Sequence, residues 1–355
     1  MDEALTKYLN GIGKPTEVLN NPDGSAALVL LYGGRVLGLY ASGSRENFFW
    51  TNPNLKSPES AKGYYESDEW HNSGGDRTWL APEADFFFPD FPSLGRYWQP
   101  RELDPGRYEL VRTKDGPRLV NHLTATLSRS KKTVGLRIEK TVAPAPNPFR
   151  YERATKELLA LEYAGYSLHT SLDIVGESQS PPPAVGAWNL LAMPHGGDLL
   201  IPTYSRTQPR VIFGAIPAGD LVVGDRLIRY GMRSAGDHKI SVRAVATCGR
   251  IGYMYQTGGR WALIIRNIFI NPSGEYVDFP WDDTADLGYA IQACNVNNAG
   301  LGAFAELEYH IPAIGRGTGR SRSDDWSTVW AFRGPLELIQ TVSGILLSPD
   351  TKVKL

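Results

Sequence analysis

The run Phe304-Ala305-Glu306-Leu307-Glu308-Tyr309-His310, closed by Pro312, reads as a β-strand of period two. Successive strand side chains point to opposite faces, so Phe304, Glu306, Glu308 and His310 share one face and Ala305, Leu307 and Tyr309 the other. The second face is apolar and can enter a core. The first brings two carboxylates and an imidazole within reach of one another, and burying such groups unpaired is costly. That side of the strand is therefore either solvated or lines a polar cavity.

The chain around it repeats the same kind of element. Residues 26–31 and 35–40 flank Gly33-Gly34 as a hairpin, and residues 119–128, 134–142, 166–175, 211–228, 240–247, 261–270 and 288–296 read as further strands. Residues 323–330 read as a polar turn feeding a last alternating strand. Helix is expected only at residues 3–9 and, with strand as the alternative, at 151–163. Many short strands with little helix predict an all-β fold, a large sandwich of mostly antiparallel strands. Residues 25–355 would form one domain, with 1–24 an extension packed against it.

Composition narrows the function classes. At 42% hydrophobic, the 355 residues can bury a sizeable core. Lys+Arg 37 against Asp+Glu 38 leaves a net charge of -1, without the basic excess that suggests nucleic acid or an anionic membrane. No stretch is apolar and long enough to span a bilayer, and the acidic start, Met1-Asp2-Glu3, lacks an apolar signal core. A cytoplasmic location is expected, although an exported chain trimmed of its signal would look the same. Cys248 and Cys294 form neither a disulfide scaffold nor a metal motif. Asp282-Asp283 and Asp324-Asp325 could hold Ca²⁺, but adjacent aspartates usually sit on a surface, so no metal or cofactor is expected. The chain has no P-loop, His-Glu-x-x-His or Gly-x-Ser-x-Gly motif. Nothing in it indicates an oligomeric state.

Candidate ligand-binding residues gather in the turns. Gly74-Gly75 is followed by Asp76, Arg77, Trp79 and Glu83, a set that suits a sugar: charged groups bond hydroxyls and an indole face packs on the C–H side of a pyranose. An Asp76–Arg77 or Arg77–Glu83 ion pair bracing a loop is the structural alternative. His195 stands in the Pro/Gly-flanked turn 193–198, Trp188 in the run 185–190, and Trp281 in the aromatic and acidic stretch 276–283. His122 and Glu139 read as solvated sheet residues.

The order of four short motifs resembles the galactose mutarotase-like superfamily, near its aldose 1-epimerase-related branches. They are Gly33-Gly34-Arg35-Val36, Asn47-x-x-Trp50-x-Asn52-Pro53, the stretch from Gly74 to Glu83, and Glu306-Leu307-Glu308-x-His310-x-Pro312. The resemblance spans residues 25–335 and implies one β-supersandwich with a carbohydrate site on a concave sheet face. It also implies Glu308 as general base. The family's general-acid histidine would fall within Gly186-Ala187-Trp188-Asn189-Leu190, where no histidine stands, leaving His195 or His310 for that role. Arg77, Trp79, Trp188 and Trp281 would position a mono- or oligosaccharide, and Glu306 beside Glu308 would raise one carboxyl pKa. The expectation is a carbohydrate-active enzyme working by acid–base catalysis, aldose 1-epimerase-like. The alternatives are a glycoside hydrolase, a polysaccharide lyase or a non-catalytic carbohydrate-binding protein.

Overall fold

In the computed structural model, which describes residues 3–150, 156–176, 178 and 180–351, the chain forms two antiparallel sheets. The nine-stranded sheet runs, in spatial order, β1 (Thr16–Asn20), β2 (Ala26–Leu30), β3 (Arg35–Tyr40), β4 (Asp76–Ala81), β9 (Gly186–Pro194), β18 (Gly302–His310), β17 (Tyr289–Asn298), β14 (His238–Arg243) and β11 (Arg210–Phe213). The ten-stranded sheet runs β12 (Leu221–Val223), β13 (Leu227–Met232), β10 (Gly197–Pro202), β15 (Arg250–Thr257), β16 (Arg260–Asn267), β19 (Arg322–Gly334), β8 (Glu162–Ile174), β7 (Thr133–Pro144), β6 (Gly116–Thr126) and β5 (Glu109–Thr113). Pairing is antiparallel throughout both sheets. The helices are α1 (Glu3–Gly11), α2 (Pro58–Glu66), α3 (Glu83–Phe87), α4 (Lys156–Leu159) and α5 (Leu336–Leu346). None is long and apolar enough to cross a membrane.

The all-β sandwich expected from the sequence is what forms. Val29, Leu80, Leu191, Ile291 and Leu307 of one sheet meet Leu136, Ile138, Leu168, Leu199 and Ile264 of the other in a solvent-free core. Residues 16–20 of the N-terminal segment enter the nine-stranded sheet as its edge strand, paired with β2.

Several local expectations change. Residues 211–228 hold three strands, β11, β12 and the start of β13; residues 214–220, with a turn at Pro217–Asp220, separate the first two, and a turn closed by the Gly224 N–H on the Leu227 carbonyl separates the last two. The polar run 323–330 is strand throughout, because Ser323, Asp325 and Ser327 face inward while Asp324 and Trp326 face out. Adjacent Asp324 and Asp325 therefore diverge to opposite faces. Helices α2, α3 and α5 were not expected; Ile339 and Val342 pack α5 on Leu263, Ile265 and Phe332 of the ten-stranded sheet. Of the 151–163 segment, residues 156–159 are helical and 162–163 open β8, while 151–155 lie outside the described residues.

Behind the run 304–310 the sheets are also joined by polar groups. Tyr309 donates to Asp325 Oδ2 at 2.6 Å and accepts from Asn189 Nδ2 at 2.8 Å, and Asn189 in turn accepts from Thr78 at 2.5 Å. Asp76 belongs to this interior and not to a ligand site. Its carboxylate takes Arg266 Nη1 at 3.0 Å and the Tyr166 hydroxyl at 2.6 Å, with both charged side chains wholly buried. The reason is period two: residues 76–81 are strand and not loop, so Asp76 and Arg77 point to opposite faces. Breaking a buried pair strands the remaining charge. Arg266→Ala should therefore destabilise the fold by about 3–5 kcal/mol, read as a lowered midpoint in urea unfolding.

Candidate functional site

The outer face of the nine-stranded sheet collects side chains from successive strands at matched register. Arg77 on β4 faces Leu190 on β9, Leu190 faces Glu308 on β18, Glu306 faces Cys294 on β17, and Cys294 faces Lys239 on β14. Gly74 and Gly75 seat the start of β4. Their φ values of +88° and +70° suit glycine, and a Cβ on either would lie 2.3 Å from the main-chain oxygen of Trp50 or Val36. Helix α3 and the following loop cover this face with Glu83, Phe88, Leu94, Tyr97 and Gln99. They enclose a cavity of about 480 Å³. Eight aromatic residues line it: Trp70, Trp79, Phe88, Tyr97, Trp188, Phe213, Trp281 and Phe304.

Its floor is charged and buried. Arg77 Nη1 lies 2.7 Å from Glu306 Oε1, with the guanidinium 4.2 Å above the Trp79 ring. Lys239 Nζ lies 3.1 Å from Glu308 Oε2 and 3.2 Å from Glu83 Oε2, over the Trp188 ring at 4.3 Å. Trp188 Nε1 donates to Glu308 Oε2 at 2.9 Å, and the Tyr97 hydroxyl donates to Glu83 Oε1 at 3.0 Å. Trp79 turns its Nε1 away from the cavity to Asp104 Oδ2, at 2.8 Å.

These surroundings move the ionisation equilibria. Burial pushes the Glu308 carboxyl up from an ordinary 4.5 to about 8, with Glu306 and Glu83 adding repulsion and Lys239 opposing both effects. Burial likewise raises Glu83, again against Lys239. Burial works against the charge of Lys239 itself, but Glu308 and Glu83 outweigh it and hold the ammonium well above its ordinary value. Arg77 is also raised, because Glu306 outweighs the cost of burial.

Seven of the ten residues singled out in the sequence line this cavity: Arg77, Trp79, Glu83, Trp188, Trp281, Glu306 and Glu308. Three do not. Asp76 lies between the sheets, as described. His310 shares the face of Glu308 but is stacked on Trp188, with centroids 5.4 Å apart, and is only 2% exposed. Burial, with Lys239 adding, holds it well below the usual imidazole range, and neither ring nitrogen has a hydrogen-bond partner. His195 sits in the β9–β10 turn outside the cavity, its Nε2 3.0 Å from Asn295 Oδ1. Among the described residues no histidine lines the cavity.

Sequence reasoning missed Lys239, Cys294, Trp70, Asn72 and Phe213. Lys239 was within reach, because extending the strand at 240–247 back by two residues puts Lys239 on one face with Ser241 and Arg243. Cys294, Glu306 and Glu308 bring ligand atoms within 4.8 Å of one another. This is a poor cation site, since Arg77 and Lys239 already neutralise the carboxylates and burial keeps the thiol protonated.

No family model and no curated protein matches the chain. A galactose mutarotase-like protein from Lactobacillus casei superposes with a TM-score of 0.50 at 10% identity, covering 90% of this chain and 99% of that one. The fold is galactose mutarotase-like. Also similar are a galactose mutarotase related enzyme from Lactobacillus acidophilus (TM-score 0.44, 9% identity, 90% and 97% covered) and a galactose 1-epimerase from Lactobacillus acidophilus (0.41, 12%, 90% and 93%). At these identities the likeness speaks to the fold alone.

Within this mutarotase-like fold, Glu308 makes stability depend on pH. A carboxyl whose folded pKa exceeds its unfolded value keeps its proton in the native state while the unfolded chain has released it. Its contribution is full below 4.5 and is lost as pH rises through about 8. Glu308→Gln should flatten the fall in unfolding free energy over that window, measured by denaturant titration at several pH values; an unchanged slope would show that Glu308 ionises normally.

Proposed function

We propose that the protein binds a sugar in this cavity and interconverts its anomers by acid–base catalysis, in the manner of an aldose 1-epimerase. The observation that carries the proposal is the arrangement Glu83–Lys239–Glu308, two buried carboxyls with raised pKa values on either side of one ammonium. Opening a pyranose needs one group to take the proton from the anomeric hydroxyl and another to protonate the ring oxygen. Glu308 in its ionised form takes the O1 proton as the C1–O5 bond breaks, and protonated Glu83 gives its proton to O5. Rotation about C1–C2 and the reverse transfers close the ring as the other anomer and restore both carboxyls. Lys239 offsets the charge that remains, and its tightly held proton makes it an electrostatic partner in preference to an acid.

A pKa near the working pH suits a group that must give and take protons in one turnover. A lyase would need a cation for the uronate carboxylate, yet Arg77 is already paired with Glu306. A non-catalytic sugar-binding protein is the second reading, favoured by the aromatic lining and the absence of a histidine among the described residues of the cavity.

NMR exchange spectroscopy on a panel of aldoses separates these readings. Wild-type protein should accelerate anomer exchange on at least one sugar, and Glu308→Gln should lower that rate by about 10²–10⁴-fold. Exchange unaffected by Glu308→Gln would refute the assignment, and binding without exchange would select the second reading.

A further inference from the structure

Both side-chain oxygens of Glu83 face donors. Lys239 Nζ lies 3.2 Å from Oε2, and the Tyr97 hydroxyl donates to Oε1 at 3.0 Å. That arrangement suits the ionised carboxylate. A neutral carboxyl carries its proton on one of the two oxygens and turns it toward an acceptor. An ammonium offers donors alone, so the proton cannot be turned from Oε2 toward Lys239. A phenolic oxygen both donates and accepts, so Oε1 is the place for the proton, with the Tyr97 O–H turned to a new acceptor. Glu83 is 5% exposed and Tyr97 40%, and both line the cavity, so of the two it is Tyr97 that lies open to a ligand. The Tyr97 ring is seated independently of its hydroxyl. It stacks on Phe87 at 5.6 Å and 13° and meets Phe88 edge-on at 5.0 Å, while the next residue, Trp98, donates its N–H to the Phe87 carbonyl at 2.8 Å.

From this geometry we infer that Tyr97 is a catalytic residue, the group that hands the proton of Glu83 to the sugar ring oxygen. The inference rests on the acid–base reading of the same cavity and adds to it the route of one proton. As the C1–O5 bond breaks, its electron pair stays on O5 and takes the Tyr97 hydroxyl proton, while Glu83 Oε1–H passes its own proton to the Tyr97 oxygen. Glu308 takes the O1 proton, and the O1–H electron pair completes the C1=O1 double bond. Glu83 ends ionised, Glu308 protonated and Tyr97 neutral, and ring closure runs the transfers backwards. The end state leaves Tyr97 donating to Glu83 Oε1, which is the hydrogen bond the structure shows. Tyr97 is neutral before and after, so an ordinary phenol pKa of about 10 does not hinder it.

The test is Tyr97→Phe, which keeps the ring on Phe87 and removes the hydroxyl. On the aldose that wild type exchanges fastest, the variant should slow anomer exchange by about 10²–10⁴-fold. Its affinity for that sugar should fall by at most about tenfold, the loss of one hydrogen bond, with the circular dichroism spectrum unchanged. Glu83→Gln should slow exchange comparably, and the double variant should be no slower than Glu83→Gln alone, because the two groups act in one chain. A Tyr97 that only braced Glu83 would give the same losses, so the deciding readout is the exchange rate in mixtures of H₂O and D₂O. With two protons moving together on the acid side, the wild-type rate should fall along a downward-curved line as the D₂O fraction rises, and the Tyr97→Phe line should be straighter. A wild-type rate in Tyr97→Phe, a straight line for wild type, or equal curvature in the two proteins would overturn the inference. Exchange that needs Glu308 but not Tyr97 removes this claim and leaves the acid–base reading standing, and wild-type protein that exchanges no sugar removes both.

Discussion

The ammonium of Lys239, held between Glu83 and Glu308 over the face of Trp188, is the interaction on which the cavity depends. Two carboxylates beneath an aromatic roof would each face a desolvation penalty of several kcal/mol with only water to lose. One cation shared between them offsets part of that penalty and leaves an excess of negative charge. Burial raises both carboxyl pKa values, and at Glu308 the repulsion from Glu306 and Glu83 adds to it, so a proton can be held at the centre of the site near neutral pH. Arg77 and Glu306 solve the same problem by closing on each other at 2.7 Å. The cavity thus joins a fixed ion pair to a carboxyl cluster that can gain or lose a proton.

The site is rigid because each strand that supplies it is anchored from behind. Glu308 faces the cavity while its neighbour Tyr309 is bonded to Asp325 across the sandwich. Arg77 faces it while Asp76 is locked to Arg266 and Tyr166. Helix α3, which directly follows β4, then brings Glu83 to Lys239 on β14 although 156 residues separate them in the chain. The aromatic rings contribute packing and also shape, since Trp188 both bonds Glu308 through its Nε1 and offers its face to Lys239.

Most of this is written in the period-two pattern. The run 304–310 places Glu306 and Glu308 on a face opposite Leu307 and Tyr309, and the structure keeps that division. The same rule, had residues 76–81 been read as strand, would have sent Asp76 inward and left Arg77 and Trp79 for the cavity. Depth is what the pattern does not carry. His310 shares a face with Glu308, but nothing local shows that Trp188 lies flat against it. Lys239 has a second obstacle: a lysine near a strand end is ordinarily solvated, and its two partners come from α3 and β18, contacts set by topology. His195 misleads for the opposite reason, since a rigid turn holds a side chain well without aiming it at a ligand.

A crystal of the protein soaked with a neutral disaccharide tests the central claim most directly. The account places the sugar against an aromatic wall of the cavity, with a hydroxyl or ring oxygen within hydrogen-bond distance of Glu308 Oε1 and the Lys239 ammonium still between Glu83 and Glu308. Sugar bound elsewhere on the protein, or bound in the cavity with Glu308 out of reach of every sugar oxygen, would contradict it.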